Sequence, residues 1–349
     1  MSFRTLHPLR LLVVAAVVAF VFVPTAAQAD PSFYATPLFG STTTPNGTLL
    51  VADTGQGIVN GDDGTLVAQL PGVTDVAAIT DTSLWATTTG QDPEADSGQA
   101  LWRVDNGVPT MIANLFEFEE EHNPHPASVD SNPFDVADFG RGRALVADAG
   151  GNTILRAERF GRIKLVAVLP DELVSTENIK KLAGCPAGPP DFCDLPPMIP
   201  AQAVATSVAI GPDGWIYAGE LKGFPAPTGE SKIWRIRPNA DSVRCGKHPG
   251  RCSVALDGFT SVIDLAFGPD GRLYVAQFDD ASWAAIEIFQ GNGALGGSVH
   301  ACNVVTKHCD EVATGLPMLT SIAFRNDGSL WGTTWSLVPG MADSIQILP

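Results

Sequence analysis

Ser207-Val-Ala-Ile-Gly-Pro-Asp-Gly-Trp-Ile-Tyr-Ala-Gly-Glu220 returns as Asp264-Leu-Ala-Phe-Gly-Pro-Asp-Gly-Arg-Leu-Tyr-Val-Ala-Gln277 and again as Ser321-Ile-Ala-Phe-Arg-Asn-Asp-Gly-Ser-Leu-Trp-Gly-Thr-Thr334. Each copy reads as an apolar strand, a tight Asp-Gly turn and a second apolar strand. A lone hairpin cannot bury both its faces, so the copies must stack on one another. Weaker copies extend toward the N-terminus through Asp135-Val136-Ala137 with Ala144–Asp148, Asp75–Ile79 with Leu84–Thr88, and Leu49–Asp53. Six second strands result.

Two further apolar segments follow most copies. The third strands are read at Ala100–Val104, Thr153–Arg156, Lys232–Ile236 and Ala285–Ile288. The fourth are read at Leu66–Leu70, Lys164–Leu169, Ser253–Leu256 and Glu311–Thr314. Gly, Pro, Asn and Asp separate them, as turns require. No helical period is sustained after the first 29 residues. The expected fold is all-β: a six-bladed β-propeller with four antiparallel strands per blade. Val76, Val136, Val208, Leu265 and Ile322 each precede an alanine, at 77, 137, 209, 266 and 323. Strand residues alternate faces, so each inner strand shows a bulky face that can fill against the small face of its neighbour. Phe33–Leu38 is expected to act as a fourth strand completing the last blade, which removes two open sheet edges.

Residues 1–29 read as a signal peptide, with Arg4 and Arg10, the apolar run Leu11–Val23 and a small-residue cleavage site at Ala27-Gln28-Ala29. The run is shorter than the roughly 20 residues that span a bilayer. No later stretch is apolar enough to cross a membrane, and residues 30–349 are expected to form one domain, monomeric and secreted or held in the periplasm or cell envelope. The net charge is −17. Such an acidic surface argues against nucleic acid and anionic lipid as partners. Six cysteines fall into near pairs, Cys185 with Cys193, Cys245 with Cys252, and Cys302 with Cys309. In an exported chain these spacings read as disulfides. Zinc is the competing reading, because His248 and His308 lie inside two of the pairs.

Candidate site residues follow from the propeller geometry. Asp75, Asp135, Ser207, Asp264 and Ser321 stand where first strands begin. Asp53, Thr88, Asp148, Glu220, Gln277 and Thr334 stand where second strands end. Both sets are expected to ring one mouth of the channel. Ca²⁺ suits an oxygen-lined mouth, with Asp75, Asp135, Glu220 and Asp264 as ligands and Asp53, Asp148, Ser207, Gln277 and Ser321 facing a bound molecule. The competing reading is that these side chains cap nearby turns. Long insertions at 116–130 and 171–200 rise on the same face. The first, with His122 and His125 beside four glutamates, reads as a solvated charged loop, the competing reading being a metal site.

Asp130-Ser-Asn-Pro-Phe-Asp-Val136, Ala144–Thr153, Gln202–Gly214, Gly219-Glu-Leu-Lys-Gly-Phe-Pro225 and Gly258–Gly271 resemble the ScyD/ScyE family of exported proteins. The resemblance implies a six-bladed propeller of NHL-like or TolB-like kind. It carries no agreed catalytic residues. The three cysteine pairs and Ala205 depart from its pattern. The sequence therefore supports an exported binding or scaffold module for an unknown protein or small molecule. The alternative is a Ca²⁺-dependent hydrolase of the lactonase or gluconolactonase type.

Overall fold

The computed structural model describes residues 33–89, 98–126 and 129–349, so the expected leader lies outside the described residues. The Asp-Gly turns organise the repeat as expected. Gly214, Gly271 and Gly328 take positive φ, and Asp213, Asp270 and Asp327 each accept the backbone N–H two residues on. The carboxylate thus fixes the turn and the glycine permits its hand.

Blade one contains β1 (Leu38–Thr43), β2 (Leu49–Asp53), β3 (Gly57–Asn60) and β4 (Leu66–Gln69). Blade two contains β5 (Val73–Ala78), β6 (Ser83–Thr88), β7 (Ala100–Asp105) and β8 (Val108–Asn114), and helix α1 (Leu115–His122) follows. Blade three contains β9 (Pro133–Asp138), β10 (Ala144–Asp148), β11 (Thr153–Ala157) and β12 (Ile163–Val168). An insertion then holds β13 (Glu172–Ser175), α2 (Glu177–Leu182), α3 (Pro190–Cys193) and β14 (Met198–Ala201). Blade four contains β15 (Ala205–Ile210), β16 (Ile216–Glu220) and β17 (Ser231–Ile236), then the short β18 (Val243–Arg244), then β19 (Cys252–Phe259). Blade five contains β20 (Val262–Phe267), β21 (Leu273–Gln277), helix α4 (Trp283–Glu287), β22 (Gly297–Asn303) and β23 (His308–Leu316). Blade six contains β24 (Ser321–Phe324), β25 (Leu330–Thr334) and β26 (Asp343–Leu348).

The inner strands touch in cyclic order, β1 to β5, β9, β15, β20, β24 and back to β1. The core divides the same way into six apolar clusters, one at each blade–blade interface. The bulky and small faces meet as the sequence implies. Ala77 packs with Val136, Ala137 with Val208, Ala209 with Leu265 and Ala266 with Ile322.

Four details differ from the expectations. Ala285–Ile288 is no strand: helix α4 covers 283–287, and the third strand of blade five is β22. Trp283, Ala284 and Ile286 bury themselves in the interface with blade six, and a short apolar run fits either helix or strand by pattern. The first insertion also contains a helix. Asn114 caps α1 by accepting the Glu117 N–H and donating to the Glu117 carboxylate, a local capping arrangement. Within that insertion Glu119 and His125 are buried, not solvated. Finally, the N-terminal segment does meet the last blade: Tyr34 is buried beside Ala342 and Trp331, and its hydroxyl donates to Ser344 Oγ at 3.0 Å. The sheet of blade six itself runs β24-β25-β26, and the chain passes from Tyr34 into β1, the innermost strand of blade one.

The three cysteine pairs are disulfides, Cys185–Cys193, Cys245–Cys252 and Cys302–Cys309, and no cysteine is free among the described residues. They indicate an oxidising environment. No helix among the described residues is long and apolar enough to cross a membrane.

Candidate functional site

Inner strands start with an irregular register, between Leu38 and Gly40, Val73 and Asp75, Ala205 and Ser207, and Val262 and Asp264. Blade three shifts likewise between Pro133 and Asp135, and the extra residues, with Thr320 at the matching place in blade six, are Phe39, Thr74, Phe134, Thr206 and Ile263, of which Phe39, Phe134, Thr206 and Ile263 line a pocket at the axis. These side chains alternate in character around the ring. Thr74, Thr206 and Thr320 donate to the carbonyls of Pro133, Val262 and Leu38 on the next blade. Phe39, Phe134 and Ile263 fill the axis, with the two phenyl centroids 5.4 Å apart. The pocket that these residues share with Asp75, Asp135 and Asp264 is about 10 Å³, about the space of one water molecule.

The next residue in each strand is the one singled out from sequence. The structure brings Asp75, Asp135 and Asp264 to the axis together. Each also reaches the following blade: Asp75 accepts the Val136 N–H at 2.8 Å, Asp135 the Val208 N–H at 2.6 Å, and Asp264 the Ile322 N–H at 2.7 Å. In blade one the position is Gly40, where a methyl group would collide with Asp75 Oδ1. Burial pushes all three acids upward, and the charge of Asp135 raises Asp75 and Asp264 further. Ser207 Oγ is buried without a partner. Ser321 Oγ donates to Ser41 Oγ across the seam between blades six and one.

The residues at the ends of second strands are spent on their own loops. Asp53 accepts the amides of Ala35 and Gly55. Asp148 accepts Ser131 Oγ and the amides of Asn132 and Gly151. Glu220 accepts the Trp234 indole N–H and lies 2.8 Å from Lys222 Nζ. Lys222, with no exposed surface, also pairs with Glu172 at 2.7 Å, and Lys232 joins that carboxylate at 2.6 Å. Burial pushes the Glu220 acid up, offset in part by Lys222. Lys222 is held above its usual range by Glu220 and Glu172 despite its own burial. Glu220 therefore belongs to an ion chain, apart from the three axial aspartates. Among the described residues no group of three or more His, Cys, Asp or Glu side chains is arranged to hold a metal ion.

Gln277 opens a different place. Its amide oxygen accepts the Thr260 N–H, and its nitrogen donates to Asp280 and Ser298. Ser298 Oγ donates to Asp280 at 2.7 Å and lies 3.2 Å from His300 Nε2. With the Ser298 hydroxyl donating to Asp280, its contact with His300 is one in which an Nε2–H donates to Ser298 Oγ. These groups floor a recess of about 350 Å³ between blades four and five, lined also by Asp257, Phe259, Lys307 and Glu311. The arrangement lacks a His–Asp bond, and Ser298 is fully buried, so it orients the recess and does not form a nucleophile relay. His300 and Asp280 were not marked from sequence. Asp280 follows the second strand of its blade, but His300 lies on β22, the strand that was misplaced.

Neither a family model nor a curated protein matches the sequence. Several solved structures share the fold. Virginiamycin B lyase from Staphylococcus aureus is 14% identical, with 91% of this chain and 86% of that chain covered and a TM-score of 0.50. Regucalcin from Agrobacterium tumefaciens, titled a calcium-binding protein, is 15% identical over 87% and 85% of the two chains, at 0.53. A putative oxidoreductase (glucose dehydrogenase) from Thermus thermophilus is 16% identical over 90% and 96%, at 0.52. At these identities the likeness establishes the propeller fold alone.

Proposed function

We propose that this chain is an exported binding module of ScyD/ScyE type, taking its ligand in the recess at blades four and five and not in the axial channel. The narrowness of the pocket at the axial aspartates carries this reading. Phe39, Phe134 and Ile263 leave about 10 Å³ there, too little for an organic substrate. The axial carboxylates already accept main-chain N–H groups, which weighs against a lactonase-type Ca²⁺ centre at that point. The recess is larger, polar and lined by Asp257, Asp280 and Glu311 against the single Lys307. That balance suits a small polar cation such as an amine or amino sugar.

Calorimetric titration of the full exported protein with a panel of small amines and amino sugars tests the reading. Binding is expected to weaken at least tenfold in Asp280→Ala and His300→Ala and to persist in Asp135→Asn. A ligand that depends on Asp135 and ignores Asp280, or Ca²⁺-dependent lactone hydrolysis lost in Asp135→Asn, would show the reading to be wrong.

A further inference from the structure

Two loop segments lie outside both channel and recess: Asp130-Ser-Asn132, before β9, and Asp148-Ala-Gly-Gly-Asn-Thr153, from the end of β10 to the start of β11. In the fold they meet beneath helix α1. Asp148 ties them together through the Ser131, Asn132 and Gly151 donors already described, and both its oxygens face polar donors at 2.7–3.0 Å. The Gly150 N–H also acts on this carboxylate.

Gly151 marks a point on which further oxygens converge. A methyl group on its Cα would lie 3.1 Å from Glu119 Oε2, 3.3 Å from Thr153 Oγ1 and 3.5 Å from Asp148 Cγ. Glu119 is 1% exposed and Thr153 is 0% exposed, yet Glu119 Oε2 and Thr153 Oγ1 have no hydrogen-bond partner. Glu119 Oε1 is served separately by the Asn123 amide, oriented to donate at 3.3 Å. Beside Gly150 stands Asp130, whose Oδ1 would be 3.0 Å from a methyl at that glycine. The charged groups acting on Glu119 are Asp148 and Asp130. No basic side chain is among the groups acting on it. Buried carboxylate oxygens without donors or counter-charge are costly.

We propose that Glu119, Asp148 and Thr153 bind a Ca²⁺ ion at the space beside Gly151. Two carboxylates and a hydroxyl are hard oxygen donors, the set that Ca²⁺ prefers, and no sulfur or imidazole in the cluster favours a softer ion. His125, the buried imidazole of the same insertion, is turned to Asp171 at 2.9 Å. The ion would fasten α1, which sits between blades two and three, to the loop after β10. This site is independent of the recess and of the axial aspartates.

The test uses the full exported protein with its disulfides, stripped with chelator and titrated with CaCl₂ alone by calorimetry and thermal melting at pH 7.5. Half-saturation is expected on the order of 0.1–1 mM, the range of extracellular modules, with a rise in Tm. Glu119→Gln and Gly151→Ala should each weaken binding at least tenfold, the second without removing a ligand. Asp135→Asn should bind as the parent does, and Thr153→Val gives the same reading if Glu119→Gln folds poorly. No binding by the parent at 10 mM, or binding that survives either substitution at 119 or 151, overturns the proposal. A parent that ignores Ca²⁺, while Glu119→Gln raises the Tm at pH 7.5, would assign the position to a neutral acid.

Discussion

Lys222 has no exposed surface but carries a charge. Its backbone takes φ of +68°, a left-handed turn that points the side chain inward between Glu220 and Glu172. Replacing it with methionine leaves Glu220 buried without its counter-charge. The expected loss is about 3–5 kcal/mol, read from urea unfolding, and Glu220→Gln in the same chain should restore much of it. A loss below about 1 kcal/mol would mean that solvent reaches the pair. At this scale the sequence was only partly legible. The acidic residues at strand starts could be located because the repeat supplies their register. Their partners could not, because the bonds of Asp75, Asp135 and Asp264 run to the next blade. Glu220 reads as one more acid in a ring until the turn at Lys222 is seen. Glu119 was hidden for a related reason: an acidic run looks solvated, and only the cap at Asn114 and the approach of Gly151 reveal that one of its carboxylates is inside.

First and second strands, joined by the repeated turn, were legible, while third strands and unmatched segments were legible only in part. The excursion at 238–251 has no counterpart in other blades, so nothing in the repeat announced β18. That strand leaves blade four and pairs parallel with β12 of blade three, adding the Ser242 N–H to Leu165 O and Cys245 N–H to Val168 O bonds, each 3.0 Å. The Cys245–Cys252 bridge returns the excursion to β19. In the chain-entropy account a loop of this length is worth roughly 2–3 kcal/mol. Cys245→Ser with Cys252→Ser should therefore lower stability by about that amount. It should also accelerate hydrogen exchange at the amides of residues 242 and 245, which flank β18, ahead of those of β19. Unchanged exchange there would show that the β12 pairing holds the excursion without the bridge.

Among the described residues, blades six and one are the neighbouring pair that do not follow each other in chain order, and they meet at a seam. Thr320 Oγ1 donates to Leu38 O at 2.8 Å there, and the Leu38 N–H returns to Ser336 O at 3.0 Å. Tyr34 and Ser344, with Ser344 reaching Gly61 O, extend the seam outward. Thr206 makes the matching bond to Val262 O where blades four and five are joined by continuous chain. Each bond is a neutral, buried contact worth about 0.5–1.5 kcal/mol net, but Thr320 Oγ1 also meets Thr333 Oγ1 at 2.8 Å and Ser336 Oγ at 2.7 Å, so Thr320→Val should cost more equilibrium stability than Thr206→Val. Their kinetics should differ. Opening at the seam frees chain ends without stretching a connection, so it is the step expected first in unfolding. Contacts already lost in the transition state change the unfolding rate, and contacts still present change the folding rate. Thr320→Val should thus raise the unfolding rate severalfold, whereas Thr206→Val should act mainly on folding. Equal effects on unfolding in stopped-flow chevrons would mean that the ring loosens at all its interfaces together, and that the seam is no weaker than a junction with continuous chain.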